Sequence, residues 1–206
     1  MNQPETEERQ GSGHPAYPRL FTPLKIGGET LQNRVVILPH GTSMLRDGAI
    51  TADDIEYYRR RTATRPGMIV TGAAVVHPSS ARRQRVLVED YSDHVLPGLA
   101  ERAQMMRDHG VVPVGQLVHL GRELIGMDSD IPAMAPSPIR SPRDPFAPRE
   151  MDHKDIAEIV AAFGHSAANL KATGHAGTEI HAAHGYLPAQ FLSPATNVRD
   201  DAYGGD

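Results

Sequence analysis

A short stretch, GTEIHAAHGY, places His181, His184 and Tyr186 within six consecutive positions. Two imidazoles can hold a carbonyl or anionic oxygen, and a phenol can supply a proton. Gln116 offers both a donor and an acceptor, which suits the edge of a heterocycle. Pro39-His40-Gly41 and Gly72-Ala73 supply small residues that let a flat ligand approach the backbone. Each group also has a plainer reading. Gln116 could satisfy loop backbone groups, and Tyr186 could be packing. His181 and His184 could ligate zinc with His119 or His175. Arg122 fits a loop-anchoring ion pair. Arg82-Arg83-x-Arg85 fits solvated surface, or a contact to a phosphorylated substrate.

These residues recur at one kind of place, the C-terminal end of an apolar run. The runs are Arg34–Pro39, Met68–Val76, Val111–Val118 and Thr178–Ala182. Near-continuous Val/Ile runs suit parallel strands covered on both faces. Helical patterns lie between them. Thr51 can cap a helix to about Ala63, with Asp54 as capping-box partner. Asp93 can cap a second, from about His94 to His109. Asp152 can cap a third, from about His153 to Ala172, with Ile156, Ile159, Val160, Phe163 and Ala167 as its apolar stripe. Strand and helix alternate three times before a fourth strand, the grammar of a parallel α/β fold. A (β/α) barrel would bring all four strand ends to one mouth. A short hairpin, Leu24–Ile26 and Thr30–Leu31 around Gly27-Gly28, precedes the first strand. The segment Leu120–Glu150 carries six prolines and reads as a long functional loop or insert. Residues 1–18 read as a disordered arm. Their G-x-G-x-x-A pattern (Gly11–Ala16) contains Pro15 and precedes no strand–helix unit, so it is not read as a dinucleotide site.

Composition narrows the function. The 206 residues carry net charge −4, with 39% apolar and 22% charged residues. That is enough for a core, and it shows no basic footprint for nucleic acid. No window is long and apolar enough for a membrane span. The polar N-terminus is unlike a secretory signal. Cysteine is absent. This excludes disulfides and thiolate chemistry from this stretch and fits a cytoplasmic protein.

The stretch Gly177–Gly205 resembles the signature of the old yellow enzyme family, in its 2,4-dienoyl-CoA reductase-like (NADH:flavin oxidoreductase) branch. Further segments agree in order: Leu20–Gly27, Asn33-Arg34, Gly48–Tyr58, Gly115–Arg122 and Ala135-Pro136-Ser137. The resemblance implies an FMN-binding (β/α)₈ TIM barrel. It implies that Pro39, His40 and Gly41 border the flavin and that Gly72 and Ala73 lie near its pyrimidine side. Gln116 would bond the pyrimidine edge. His181 and His184 would bind the substrate carbonyl, His181 also touching the flavin, and Tyr186 would donate the proton. The implied reaction is reduction of an activated alkene with NAD(P)H as electron source. Many relatives carry Met after the first-strand Pro, followed by Cys or Thr in some, where this chain has His40 and Gly41. Pro-His also occurs in amine-dehydrogenase relatives, so an amine-type flavin dehydrogenase stays open.

A barrel of this type needs about 250 residues. The expectation is therefore a barrel truncated to about its first four strands, with residues 19–206 forming the N-terminal half. Such a chain would bind FMN weakly or not at all by itself and would associate, as a homo-oligomer or through open barrel edges. A non-catalytic half-barrel that serves as an interaction module is the rival from another class.

Overall fold

The computed structural model describes residues 15–205. The arm expected at residues 1–18 lies mostly outside them. Within Pro15–Pro18 the chain already turns, and Leu20 N–H donates to the Tyr17 carbonyl.

The first hairpin pairs β1 (Leu24–Ile26) with β2 (Glu29–Leu31), Leu24 facing Leu31. β3 covers only Val36–Ile37, shorter than the expected Arg34–Pro39. A second hairpin follows, β4 (Leu45–Arg46) and β5 (Ala49–Ile50). Its turn, Asp47-Gly48, has φ of 51° and 73°. Both values belong to a type I′ turn, whose twist matches that of the flanking strands.

α1 (Ala52–Thr62) is capped by Thr51, whose hydroxyl accepts from Asp54 N–H. The reciprocal half of the expected capping box does not form. The Asp54 carboxylate turns inward to Thr42 and Arg102 instead. β6 (Met68–Val75) and the short β7 (Val88–Glu89) come next. α2 (Leu96–Asp108) begins later than expected. Ser92 precedes a 3₁₀ turn over Asp93–Val95, and Pro97 sits in the first α turn, where its missing N–H costs nothing. β8 spans Val112–Val118.

The Leu120–Glu150 segment is not structureless. Glu123 accepts from Ser141 Oγ and from the Arg143 guanidinium, and Asp144 accepts from Gly126 and Phe146 N–H. Within it β9 (Met134–Ala135) pairs in parallel with β10 (Arg149–Glu150). α3 (His153–Ala172) carries a complete capping box between Asp152 and Asp155. Ile156 and Ile159 are buried as expected, but Val160 is 66% exposed. β11 (Gly177–Ile180) ends before His181, and α4 (Leu187–Leu192) follows.

The main sheet is parallel, in the order β11-β8-β6-β3, with β7 beside the end of β6. Ala74, Val76, Leu99, Leu117 and Leu170 form a core between this sheet and the helices. Ile55, Tyr58, Ile69 and Met106 form a second core under α1 and α2. Alternation along β8 sends Leu117 to the helical layer and Gln116 to the other face. β3 and β11 are the outer strands of this sheet, and Leu38, Ile180 and Leu192 stand exposed near them.

Candidate functional site

At the C-terminal ends of the strands lies one cavity of about 320 Å³. Pro39, His40, Gly41, Ala73, Gln116, His181, His184 and Tyr186 all line it. Four separated chain segments, the tails of β3, β6, β8 and β11, are thereby brought to one rim. Gly72 is the exception. It belongs to a smaller adjoining pocket with His40, Gly41 and Ala73.

The register explains that corner. Thr71 faces Gly115, whereas Ala74 faces Leu117. Gly72 and Ala73 thus oppose the single residue Gln116, a β-bulge that bends β6 at the rim. A Cβ at Gly72 would lie 2.4 Å from the His40 carbonyl oxygen. Only glycine permits this approach between the β3 tail and β6. Gly72 N–H donates to Tyr58 Oη at 2.8 Å.

Beneath the β3 tail, Thr42 Oγ1 donates to Asp54 Oδ2 at 2.8 Å, and Arg102 Nη1 donates to Asp54 Oδ1 at 2.9 Å. Asp54 and Arg102 are each 2% exposed. His40 stacks on Tyr57, with Nδ1 2.6 Å from its hydroxyl.

Gln116 Nε2 donates to Glu179 Oε1 at 2.6 Å, which leaves the Gln116 carbonyl oxygen for the cavity. Glu179 and Gln116 are register partners across β11 and β8. Sequence reading missed Glu179, although it lies two residues before His181 and so shares its face of the strand.

Ala183 N–H donates to His181 Nδ1, so the ring proton of His181 sits on Nε2, which lies 3.1 Å from His184 Nδ1. The proton of His184 is then on its own Nε2. The two imidazoles therefore bond to each other and present one free donor, where the sequence suggested two. Partial burial, with His184 as a second cause, holds the His181 pKa below its ordinary value. Tyr186 packs edge-on to His181 at 4.7 Å between centroids, and its hydroxyl makes no hydrogen bond among the described residues. His184 has φ 55°, the left-handed corner that turns its ring back over His181.

Arg82 also lines this cavity. Its neighbours are occupied, Arg83 by Asp130 and Arg85 by Glu89. Among the described residues Arg82 has no such partner, and its Nε is buried without a hydrogen bond.

The third-ligand candidates lie elsewhere. His119 is fully buried, bonded to Ser79 Oγ at 2.9 Å and to Gly121 N–H, and burial depresses its pKa to about 3. His175 bonds Thr173. Among the described residues no group of three His, Asp or Glu could hold a metal ion. Arg122 anchors the loop through the Ile139 and Arg140 carbonyls. Gln190, also missed, clasps the Leu120 and Gly185 carbonyls and accepts from Arg122 N–H. It ties the β8 loop to α4. A larger cavity of about 570 Å³ opens between α3, β11 and α4, lined by Ile159, Val160, Phe163, Ile180, Leu187 and Phe191. It is apolar and off the rim. Among the described residues no helix is long and apolar enough to cross a membrane.

A parallel α/β sheet with a cluster of imidazole, phenol and amide groups at its C-terminal rim defines the class, and the comparisons give the family. The chain belongs to the NADH:flavin oxidoreductase / NADH oxidase family, which it matches over residues 19–206. It is 38% identical to a metal reductase of Desulforamulus reducens, over 91% of this chain and 28% of that protein. It is 36% identical to an NADPH dehydrogenase of Bacillus subtilis, over 91% of this chain and 55% of that enzyme. The structure of an old yellow enzyme homologue from Zymomonas mobilis superposes with TM-score 0.85 at 27% identity, covering 92% of this chain and 55% of that one. The chain thus spans about half, or less, of the relatives it matches.

Proposed function

We propose that residues 19–206 form the N-terminal half of an FMN-binding (β/α)₈ barrel. In this reading the whole is an NAD(P)H-dependent oxidoreductase of the 2,4-dienoyl-CoA reductase-like branch that reduces activated C=C bonds. The observation that carries the reading is the single cavity formed by the tails of β3, β6, β8 and β11. The outer positions of β3 and β11, and the apolar trough beside β11, supply the surface on which a second half would close.

The residues fit a flavin. The bulge at Gly72-Ala73 and the open space above Gly41 leave a flat surface at the backbone. The Gln116 carbonyl oxygen, with Nε2 committed to Glu179, can accept from an imide N–H. When bound, FMN would supply the hydride chemistry, taking electrons from NAD(P)H. The protein orients the substrate and handles charge. His184 Nε2–H meets the substrate carbonyl oxygen, and His181 Nε2–H joins it by exchanging the bond between the rings. Each donor aimed at a developing oxyanion is worth roughly 2.7–4 kcal/mol. The free Tyr186 hydroxyl delivers the proton to carbon.

The test is FMN titration of this chain with and without the downstream half of the barrel supplied as a separate polypeptide. Flavin uptake that needs both halves and falls with Gln116→Leu supports the reading. No uptake by the combined halves, or uptake indifferent to Gln116→Leu, refutes it.

A further inference from the structure

Among the described residues, Arg82 is the one arginine of the Arg82-Arg83-x-Arg85 cluster without an acidic partner. Arg83 is held by Asp130 and the Ser129 carbonyl, and Arg85 makes a two-pronged contact with Glu89. Arg82 lies on the wall shared by two concavities. One is the cavity of His181, His184 and Tyr186; the other, of about 410 Å³, is lined by Arg83, Arg85, Tyr91 and Asp130 among others. Among the described residues no carboxylate lines the first cavity. The Arg82 Nε is buried and makes no hydrogen bond. A buried N–H of a permanent cation left without an acceptor costs desolvation that the fold does not repay internally. A planar guanidinium in that state is suited to a carboxylate or phosphate, which it can meet with two parallel bonds.

We propose that Arg82 is an anion-binding residue of this site, and that the substrate carries a carboxylate or phosphate group beside its reacting unsaturated carbonyl. The imidazole–phenol cluster receives the reactive end, and Arg82 receives the charged end. This names a substrate class for the site proposed above and rests on that reading for the reaction, though the anion contact lies wholly within this chain.

The test uses the full chain and NMR of its arginine Nε–H groups. The probes are trans-cinnamate, its neutral isostere cinnamamide, and phenyl phosphate. Cinnamate or phenyl phosphate should move the Arg82 Nε–H signal, and cinnamamide should not. Arg82→Gln should weaken binding of the anions roughly tenfold or more while leaving cinnamamide unchanged. Arg82→Lys should recover part of the affinity, because charge remains without the fork. Tighter binding of phenyl phosphate than of cinnamate assigns a phosphoryl group, and the reverse assigns a carboxylate. Equal binding of cinnamate and cinnamamide, anion affinity unchanged in Arg82→Gln, or no movement of the Arg82 signal by either anion at millimolar concentration overturns the proposal. Failure of flavin uptake with anion binding intact would remove the flavin reading and leave the anion site standing.

Discussion

Replacing Arg102 by Met should be among the most damaging single changes in this chain, and its cost can be worked from the geometry. The guanidinium donates to Asp54 at 2.9 Å and to Thr71 Oγ1 at 3.3 Å, and both charged side chains are 2% exposed. Met fills most of the volume but leaves the Asp54 carboxylate buried, with the Thr42 hydroxyl as its remaining side-chain donor. Removing one partner of such a pair costs about 3–5 kcal/mol. With a urea slope of about 2–3 kcal/mol per molar, the midpoint should fall by roughly 1–2 M at unchanged slope. High salt should not alter the difference, because a desolvated pair is poorly screened. The assay is urea denaturation of Arg102→Met, Asp54→Leu and the double variant. The double variant should recover most of the loss, since an apolar pair replaces a buried ionic one at little cost. Amide exchange at Gly41 and Thr42 should quicken in Arg102→Met, because Thr42 is tied to the β3 tail's support through Asp54. A cost below about 1 kcal/mol, or no recovery in the double variant, would refute the claim that this pair is desolvated and coupled.

Gly72→Ala puts a methyl 2.4 Å from the His40 carbonyl oxygen, so it should destabilise by about 1–3 kcal/mol and shift amide signals along Pro39–Gly41, checked by denaturation and NMR. Burial raises the Asp90 pKa to about 7 from an ordinary 3.8, against a weaker lowering by Asn169. A carboxyl raised in the folded state stabilises fully below its unfolded pKa, and that contribution is lost as pH rises through about 7. The loss amounts to at most about 4 kcal/mol between pH 4 and 7. His119 and His175, depressed by burial to about 3, act in the opposite sense, losing their contribution as pH falls below 6.5. The expected signature is therefore a difference: the stability of Asp90→Asn relative to the parent should grow from pH 4 to 8, and a flat difference would count against Asp90. In the completed enzyme, Tyr186→Phe should slow reduction of an alkene while leaving flavin reduction by NAD(P)H nearly intact, read as separate half-reactions. Equal loss in both would remove Tyr186 as proton donor.

The strand–helix order, the α3 cap at Asp152 and the grouping of His181, His184 and Tyr186 were legible because each has a local sequence signal; Gln116 joined them only as a residue near the end of another apolar run. Apolar runs, a capping residue and short spacings fix them without knowledge of the fold. The contacts that tune the site were not legible, because they join residues far apart in the chain. Arg102 and Asp54 are separated by 48 positions, Gln116 and Glu179 by 63, Gln190 and Leu120 by 70. Asp54 shows the competition directly. Its spacing from Thr51 favoured a capping box, but a buried guanidinium is the stronger partner for a carboxylate. The hairpin at Asp47-Gly48 is a different kind of omission, since Asp-Gly between short apolar pairs is itself a turn signal. The pairing between His181 and His184 depends on a backbone angle that spacing alone does not reveal.

That angle narrows what natural variation can place opposite His181. With φ at 55° and Gly185 following at 71°, the backbone at His184 disfavours every branched or bulky aliphatic residue. Asn, Asp and Gly are the residues that share His's tolerance of this conformation. Diversification at this position is therefore a choice among an imidazole, a carboxamide, a carboxylate or a gap, and of the three alternatives to the imidazole only the carboxamide has an N–H to offer an oxygen. A homologue carrying Asn here would keep a donor and exchange the ring for a shorter planar amide without disturbing the chain path.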